Sequence, residues 1–168
     1  MTLRTGGQVL IDYLAGAGVR HVFTVPGESF LPVLDAMHSD SRVRPITTRN
    51  ESGAALMAEA TGKLTGRPGV AIVSRGPGAA NALAGVYIAH QDQSPMVLLV
   101  GLPSNTMEDL PAFQAIDVKA VFGSLAKTCM VVRSAADLPG VLQQAFSVAT
   151  SGRPGPVVLG LPEDVLSQ

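Results

Sequence analysis

Apolar residues recur at helical spacing at Val9, Leu10, Tyr13 and Leu14, which predicts a helix from about Gln8 to Ala15, ended by Gly16 and Gly18. Val19 to Val25 then reads as a strand, and Pro26-Gly27 breaks the chain before a second helix from about Ser29 to Met37. A short strand follows around Val43 to Thr48, and a third helix is expected over Glu51 to Leu64. In that helix Ala54, Ala58 and Gly62 share one stripe at i, i+4 spacing. Such small residues let another backbone approach closely, either within the domain or across an interface.

Val70 to Ser74 is a β-branched apolar strand, followed by the turn Arg75-Gly76-Pro77-Gly78 and a helix from about Ala79 to His90. Met96 to Val100 is a continuous apolar run of the kind buried on both faces of a parallel sheet. Residues 102–118 carry few regular signals and read as a functional loop. Thr128 to Val132 is another strand, Leu138 to Ala149 a helix, and Val157 to Leu161 the last strand. Strands alternating with helices over short breaks predict βαβ units. The expectation is an α/β fold, three-layer αβα, with a mostly parallel sheet of about six strands in a single domain spanning residues 1–168.

Composition narrows the function without naming it. With 46% hydrophobic and 15% charged residues, the 168-residue chain fits a soluble domain with a full core. A formal charge of −1 offers no electrostatic footprint for nucleic acid or an anionic membrane. No apolar run approaches the roughly 20 residues that span a bilayer. The segment from Met1 to Gly7 is polar and glycine-rich, unlike a secretory signal, so the cytoplasm is the expected compartment. Cys129 is the only cysteine, which excludes an internal disulfide, and it reads as a buried thiol in an apolar strand.

In an open parallel sheet, ligands sit beyond the carboxyl ends of the strands. Three strand-to-helix turns occupy such places: Pro26-Gly27-Glu28, Asn50-Glu51-Ser52-Gly53, and Gly76 to Asn81. Glu51 stands where an acid complements the helix dipole, so position alone does not make it catalytic. The Gly-Pro-Gly turn is not a dinucleotide cradle, because Asn81 occupies the third glycine position and Met96 to Gly101 supplies no acid. Gly62-Lys63 lacks the rest of a Walker pattern, and His21, His38 and His90 have no ligand spacing. No serine sits in a nucleophile elbow.

Taken in order, these segments resemble one family. Val22-Phe23-Thr24-Val25-Pro26-Gly27 is similar to the first strand and turn of acetolactate-synthase-like thiamine diphosphate enzymes. Arg49-Asn50-Glu51-Ser52-Gly53-Ala54-Ala55, with Ala58-Glu59-Ala60 and Thr65-Gly66-Arg67-Pro68-Gly69-Val70 behind it, resembles their catalytic-glutamate helix. Ser74-Arg75-Gly76-Pro77-Gly78-Ala79-Ala80-Asn81 resembles their next turn, and Ala112-Phe113-Gln114 and Ser151-Gly152-Arg153-Pro154-Gly155-Pro156-Val157 complete the series. The resemblance identifies the chain as the N-terminal pyrimidine-binding domain of such an enzyme.

That resemblance implies a role for each residue. In the family the glutamate, here Glu51, hydrogen-bonds N1′ of the aminopyrimidine and favours the imino tautomer that activates the thiazolium for attack on a 2-keto acid. The alanines at 54, 55 and 58 are compatible with the low polarity this needs. Pro26 and Gly27 would approach the pyrimidine by backbone, with Ser74, Pro77 and Asn81 in the same pocket. Gln114 would stand near the substrate, or be a polar loop residue. Lys127 matches a family lysine near the substrate path, or is a solvated lysine at a strand end.

Two departures concern the substrate. Glu28 replaces a second glycine, and Phe113-Gln114-Ala115 replaces Phe-Gln-Glu. They leave open acetolactate synthesis or decarboxylation and carboligation of another 2-keto acid. The family's Gly-Asp-Gly, which binds diphosphate and Mg²⁺, occurs nowhere in the sequence. The resemblance therefore implies a cofactor anchored mainly by a second polypeptide or a missing domain, a homo-oligomeric assembly, and inactivity of this chain alone. FAD is expected only in a full-length relative. The chain closes just after Pro162-Glu163-Asp164-Val165, as this domain does in the family, which suits a subunit of a split enzyme or a trimmed piece. The rival reading is a non-catalytic regulatory or scaffolding module that kept the fold.

Overall fold

The computed structural model describes residues 4–107 and 112–168. Its strands are β1 (His21–Thr24), β2 (Arg44–Thr47), β3 (Gly69–Val73), β4 (Met96–Leu102), β5 (Thr128–Val131) and β6 (Pro156–Pro162). Its helices are α1 (Gly6–Gly16), α2 (Leu31–Ser39), α3 (Glu51–Thr65), α4 (Gly76–Asp92), α5 (Val118–Phe122), α6 (Leu138–Thr150) and α7 (Glu163–Ser167). The strands form one 6-stranded sheet in the order β2-β1-β3-β4-β6-β5, with every neighbouring pair parallel.

Register explains the layers. Val22, Val70, Val97 and Val157 stand in one row across the sheet, and the next row is Phe23, Ala71, Leu98 and Val158. Because successive side chains alternate in direction, these rows face opposite sides. The valine row packs under α1, α2, α6 and α7, with Leu10, Val33, Leu142 and Val165 in that core. The other row packs under α3, α4 and α5, with Ala54, Ala58, Val86 and Phe122. Covered on both faces, β3, β4 and β6 are wholly buried, which is why they read as unbroken apolar runs. The edge strand β2 is largely exposed and tolerates Pro45, since an edge strand has no second neighbour to bond.

The small-residue stripe of α3 is used within the sheet and its helices. Ala54 and Ala58 are fully buried, a Cβ on Gly62 would lie 2.0 Å from the Pro95 carbonyl oxygen, and one on Gly85 would lie 2.4 Å from Ala55 Cβ. Helices α3 and α4 therefore pack nearly backbone to backbone. Asn50 caps α3 by accepting from the Ser52 amide at 2.9 Å, and Gly66 ends it at φ 68°.

Several boundaries differ from the pattern-based expectation. The Gly-Pro-Gly segment is the first turn of α4 rather than a free turn, because proline's fixed φ and missing donor suit that position. Within the stretch expected to be loop, β4 continues to Leu102, Asn105–Met107 forms a 3₁₀ turn, and α5 starts at Val118 with Asp117 accepting from the amides of Lys119 and Ala120. The final helix, α7, follows Pro162 directly. Cys129 is half-buried rather than buried, because β5 is an edge strand.

Candidate functional site

The strand order reverses at β1, which lies between β2 and β3, so the crevice of this topology opens between the carboxyl ends of β1 and β3. Pro26 and Gly27 follow β1, and Ser74 to Gly76 follow β3. The two turns touch. A Cβ on Gly27 would stand 2.7 Å from Ser74 Cβ, and the Ser29 and Ser74 hydroxyls are 3.0 Å apart in a mutual hydrogen bond. Ser29 is fully buried and pressed against Gly101, whose absent side chain is what admits it.

Glu51 is the first residue of α3 and is half-buried. Asn81, in the second turn of α4, donates its Nδ2 to Glu51 Oε2 at 2.9 Å. Glu51 Oε1 accepts no hydrogen bond among the described residues. Gly78 borders it: a Cβ there would lie 3.3 Å from Oε1. The other glycine of the Gly-Pro-Gly segment serves the second candidate. Gly76 donates its amide to the Gln114 carbonyl oxygen at 2.9 Å, and a Cβ on Gly76 would crowd that oxygen at 3.0 Å. The first turn of α4 thus touches both Glu51 and the loop that carries Gln114.

Gln114 itself adopts φ 58°, a left-handed conformation unusual for a residue with a side chain, and its side chain is exposed. Pro26 and Pro77 are exposed at the same edge. The Ser74 hydroxyl shares a hydrogen bond with Ser29, which fixes its orientation at the turn after β3. Lys127 does not join the group. It precedes β5 and lies at the amino edge of the sheet, where its Nζ donates to the carbonyls of Val148 and Ser151 at the end of α6. A helix carboxyl end favours a cation, which accounts for the lysine locally.

Two features escaped sequence reasoning. Arg75 Nη2 donates to Glu163 Oε2 at 2.9 Å, linking the turn after β3 to the start of α7. Glu59, on the inner face of α3, is 6% exposed and accepts from the Ser94 hydroxyl at 2.7 Å. Neither pairing leaves a local signal, since the partners lie far apart in the chain. A cleft of about 630 Å³ also opens at the carboxyl ends of β4, β5 and β6, lined by residues including Asn105, Asp117, Lys119, Cys129 and Arg133, beside rather than over Glu51. Burial, and secondarily the Asp117 carboxylate, push the Cys129 thiol above its ordinary pKa. Among the described residues no group of three or more His, Cys, Asp or Glu could hold a metal ion, and no helix is long and apolar enough to cross a membrane.

Residues 4–121 match the family described as "Thiamine pyrophosphate enzyme, N-terminal TPP binding domain". The chain is 36% identical over 167 residues to the acetolactate synthase isozyme 3 large subunit of Escherichia coli K12, covering 99% of this chain and 29% of that protein. It is 39% identical over 162 residues to the mitochondrial acetolactate synthase catalytic subunit of Aspergillus candidus, covering 96% and 23%. The Saccharomyces cerevisiae mitochondrial catalytic subunit is 39% identical over 161 residues, covering the same shares. The chain thus spans 23 to 29% of the length of these relatives. With the family matched over most of its residues, and Glu51 at a helix start beside the crevice, the chain belongs to the N-terminal TPP-binding domains of the thiamine pyrophosphate enzymes.

Proposed function

We propose that this chain is the pyrimidine-binding half of a thiamine diphosphate-dependent 2-keto acid decarboxylase or carboligase, acting as one domain over residues 1–168, with Glu51 as its proton-handling residue. The observation that carries the reading is the asymmetry of the Glu51 carboxylate. Oε2 is held by Asn81, while Oε1 has no partner among the described residues and is bordered by a glycine. One oxygen is thus oriented and the other accessible, which is what a carboxyl group needs to share a proton with a ring nitrogen. The donor set fits the aminopyrimidine: a carboxyl for a ring nitrogen, and the backbone of Pro26 and Gly27 within the same crevice. When bound, thiamine diphosphate supplies a nucleophilic carbon and an electron sink for the substrate carbonyl.

The residues of this chain then divide the work. Glu51 holds or releases the proton at Oε1, and Asn81 fixes its orientation. Gly78 keeps side-chain bulk away from that oxygen, and Pro77 and Ser74 shape the wall. Gln114 faces the substrate. Glu51 is only half-buried here, so the low polarity that strengthens such a proton exchange comes from a covering surface on another domain or chain. On this reading Mg²⁺ and the diphosphate are anchored mainly by that covering domain, since Mg²⁺ bridges protein carboxylates to phosphates. FAD, on the same reading, enters only in a full-length relative. The assembly is an oligomer of the cytoplasm, inactive when this chain stands alone.

Native mass spectrometry of the protein purified gently from its source, with thiamine diphosphate and Mg²⁺, tests the reading. A complex with one cofactor for each copy of this domain, together with the polypeptide that anchors its diphosphate, is expected. A cofactor-free assembly of this chain alone would favour the rival, a regulatory or scaffolding module.

A further inference from the structure

We infer that the Arg75–Glu163 ion pair is the positioning element that holds the turn after β3, and through it Gln114, in place relative to Glu51; this rests on the reading of Glu51 given above. Three consecutive residues of that turn each grip a different segment. Ser74 bonds Ser29 after β1, Arg75 bonds Glu163 after β6, and the Gly76 amide bonds the Gln114 carbonyl. Arg75 therefore reaches past the end of β4, since β4 lies between β3 and β6.

The pair is built for orientation. Arg75 occupies the N-cap position of α4 without capping it, so its side chain contributes nothing to the helix end and is committed to Glu163. The Arg75 side chain is 15% exposed, its Nε is enclosed with no partner among the described residues, and Glu163 is the ion-pair partner of its guanidinium. Ordering so long a side chain costs rotamer entropy, which only a specific contact offsets. A guanidinium enclosed to this degree and left without its carboxylate is unfavourable, so the turn would shift to hydrate it. Glu163 is steadied in turn by its neighbour: Asp164 Oδ1 accepts from the Asn105 amide at 3.0 Å, tying the loop after β4 into the same brace. The brace spans the carboxyl edge from β1 to β6, and the Gly76 amide at its centre meets Gln114.

The test is amide hydrogen exchange in the full chain, followed residue by residue by NMR, for the parent and for Arg75→Met, Arg75→Lys and Glu163→Gln. Arg75→Met keeps the aliphatic stem and removes the charge. It is expected to speed exchange at Gly76 by about tenfold or more, the loss of one charge-assisted hydrogen bond. Core amides such as Leu98 and Leu159 should keep their rates, and Arg75→Lys should recover most of the protection. Glu163→Gln should reproduce the loss, and it keeps the test alive should Arg75→Met not fold. Unchanged exchange at Gly76 in Glu163→Gln, or equal acceleration across the core amides, overturns the inference. No cofactor takes part in this readout, so failure of the proposed chemistry at Glu51 would leave its result standing, and the reverse.

Discussion

Asn81 Nδ2 donates to Glu51 Oε2 at 2.9 Å, so the second turn of α4 orients the first residue of α3. The bond exists because α3 and α4 lie side by side with almost nothing between them, and because Gly78 leaves the carboxylate room to face α4.

That bond predicts the behaviour of Asn81 variants in the assembled enzyme. Asn81→Ala removes the orienting donor and should lower kcat about tenfold, the worth of one hydrogen bond to a charged group. Asn81→Asp puts an acceptor where the donor stood, so it should lower kcat at least as far as Asn81→Ala. Turnover equal to that of the parent in both variants would remove Asn81 from the proton-handling unit.

Close packing of α3 on α4 is testable without any cofactor. In Gly85→Ala the new methyl would meet Ala55 Cβ at 2.4 Å and the Leu56 amide nitrogen at 2.9 Å, so the helices must separate. The expected cost is ~1–3 kcal/mol, read as a lower thermal midpoint. A methyl added at Gly140 in α6 would meet nothing within 4 Å, so Gly140→Ala should instead stabilise by ~0.5–1 kcal/mol. Equal effects of the two substitutions would contradict the packing described.

Cys129 provides a probe of the β5 edge. Burial raises the thiol pKa first, and Asp117 adds to this by opposing a second negative charge, so the thiolate is scarcer in the fold than in the free chain at the same pH. Alkylation by iodoacetamide near pH 8 should be about tenfold slower in the native chain than in the denatured one, and should accelerate as pH rises. Native and denatured rates that coincide would mean the thiol is not shielded.

The centre of the sheet was legible because β3, β4 and β6, buried on both faces, read as apolar runs between turn residues, whereas the edge strand β2, Arg44–Thr47, is short and polar. The short helices α5 and α7 were not, since five residues carry too little periodicity to stand out. Glu51 and Asn81 were expected at the same edge, and the hydrogen bond between them gives that expectation a geometry. Lys127 teaches the opposite lesson. A residue that precedes a strand in an all-parallel sheet lies at the amino edge, away from Glu51, so strand direction alone separates it from the crevice. Arg75 and Glu163 are 88 positions apart, and Glu59 finds Ser94 across 35, so both pairs depend on tertiary proximity that no local pattern encodes.

The most direct measurement is the turnover of a 2-keto acid such as pyruvate by the assembled enzyme carrying Glu51→Gln. This substitution keeps the shape and the acceptor for Asn81 but removes the exchangeable proton. The account predicts turnover lower by ~10²–10⁴-fold, the usual contribution of a general acid–base group, with an unchanged thermal midpoint. Turnover close to that of the parent would show that Glu51 does not handle the proton, and the chain would be a module that kept the fold without the chemistry.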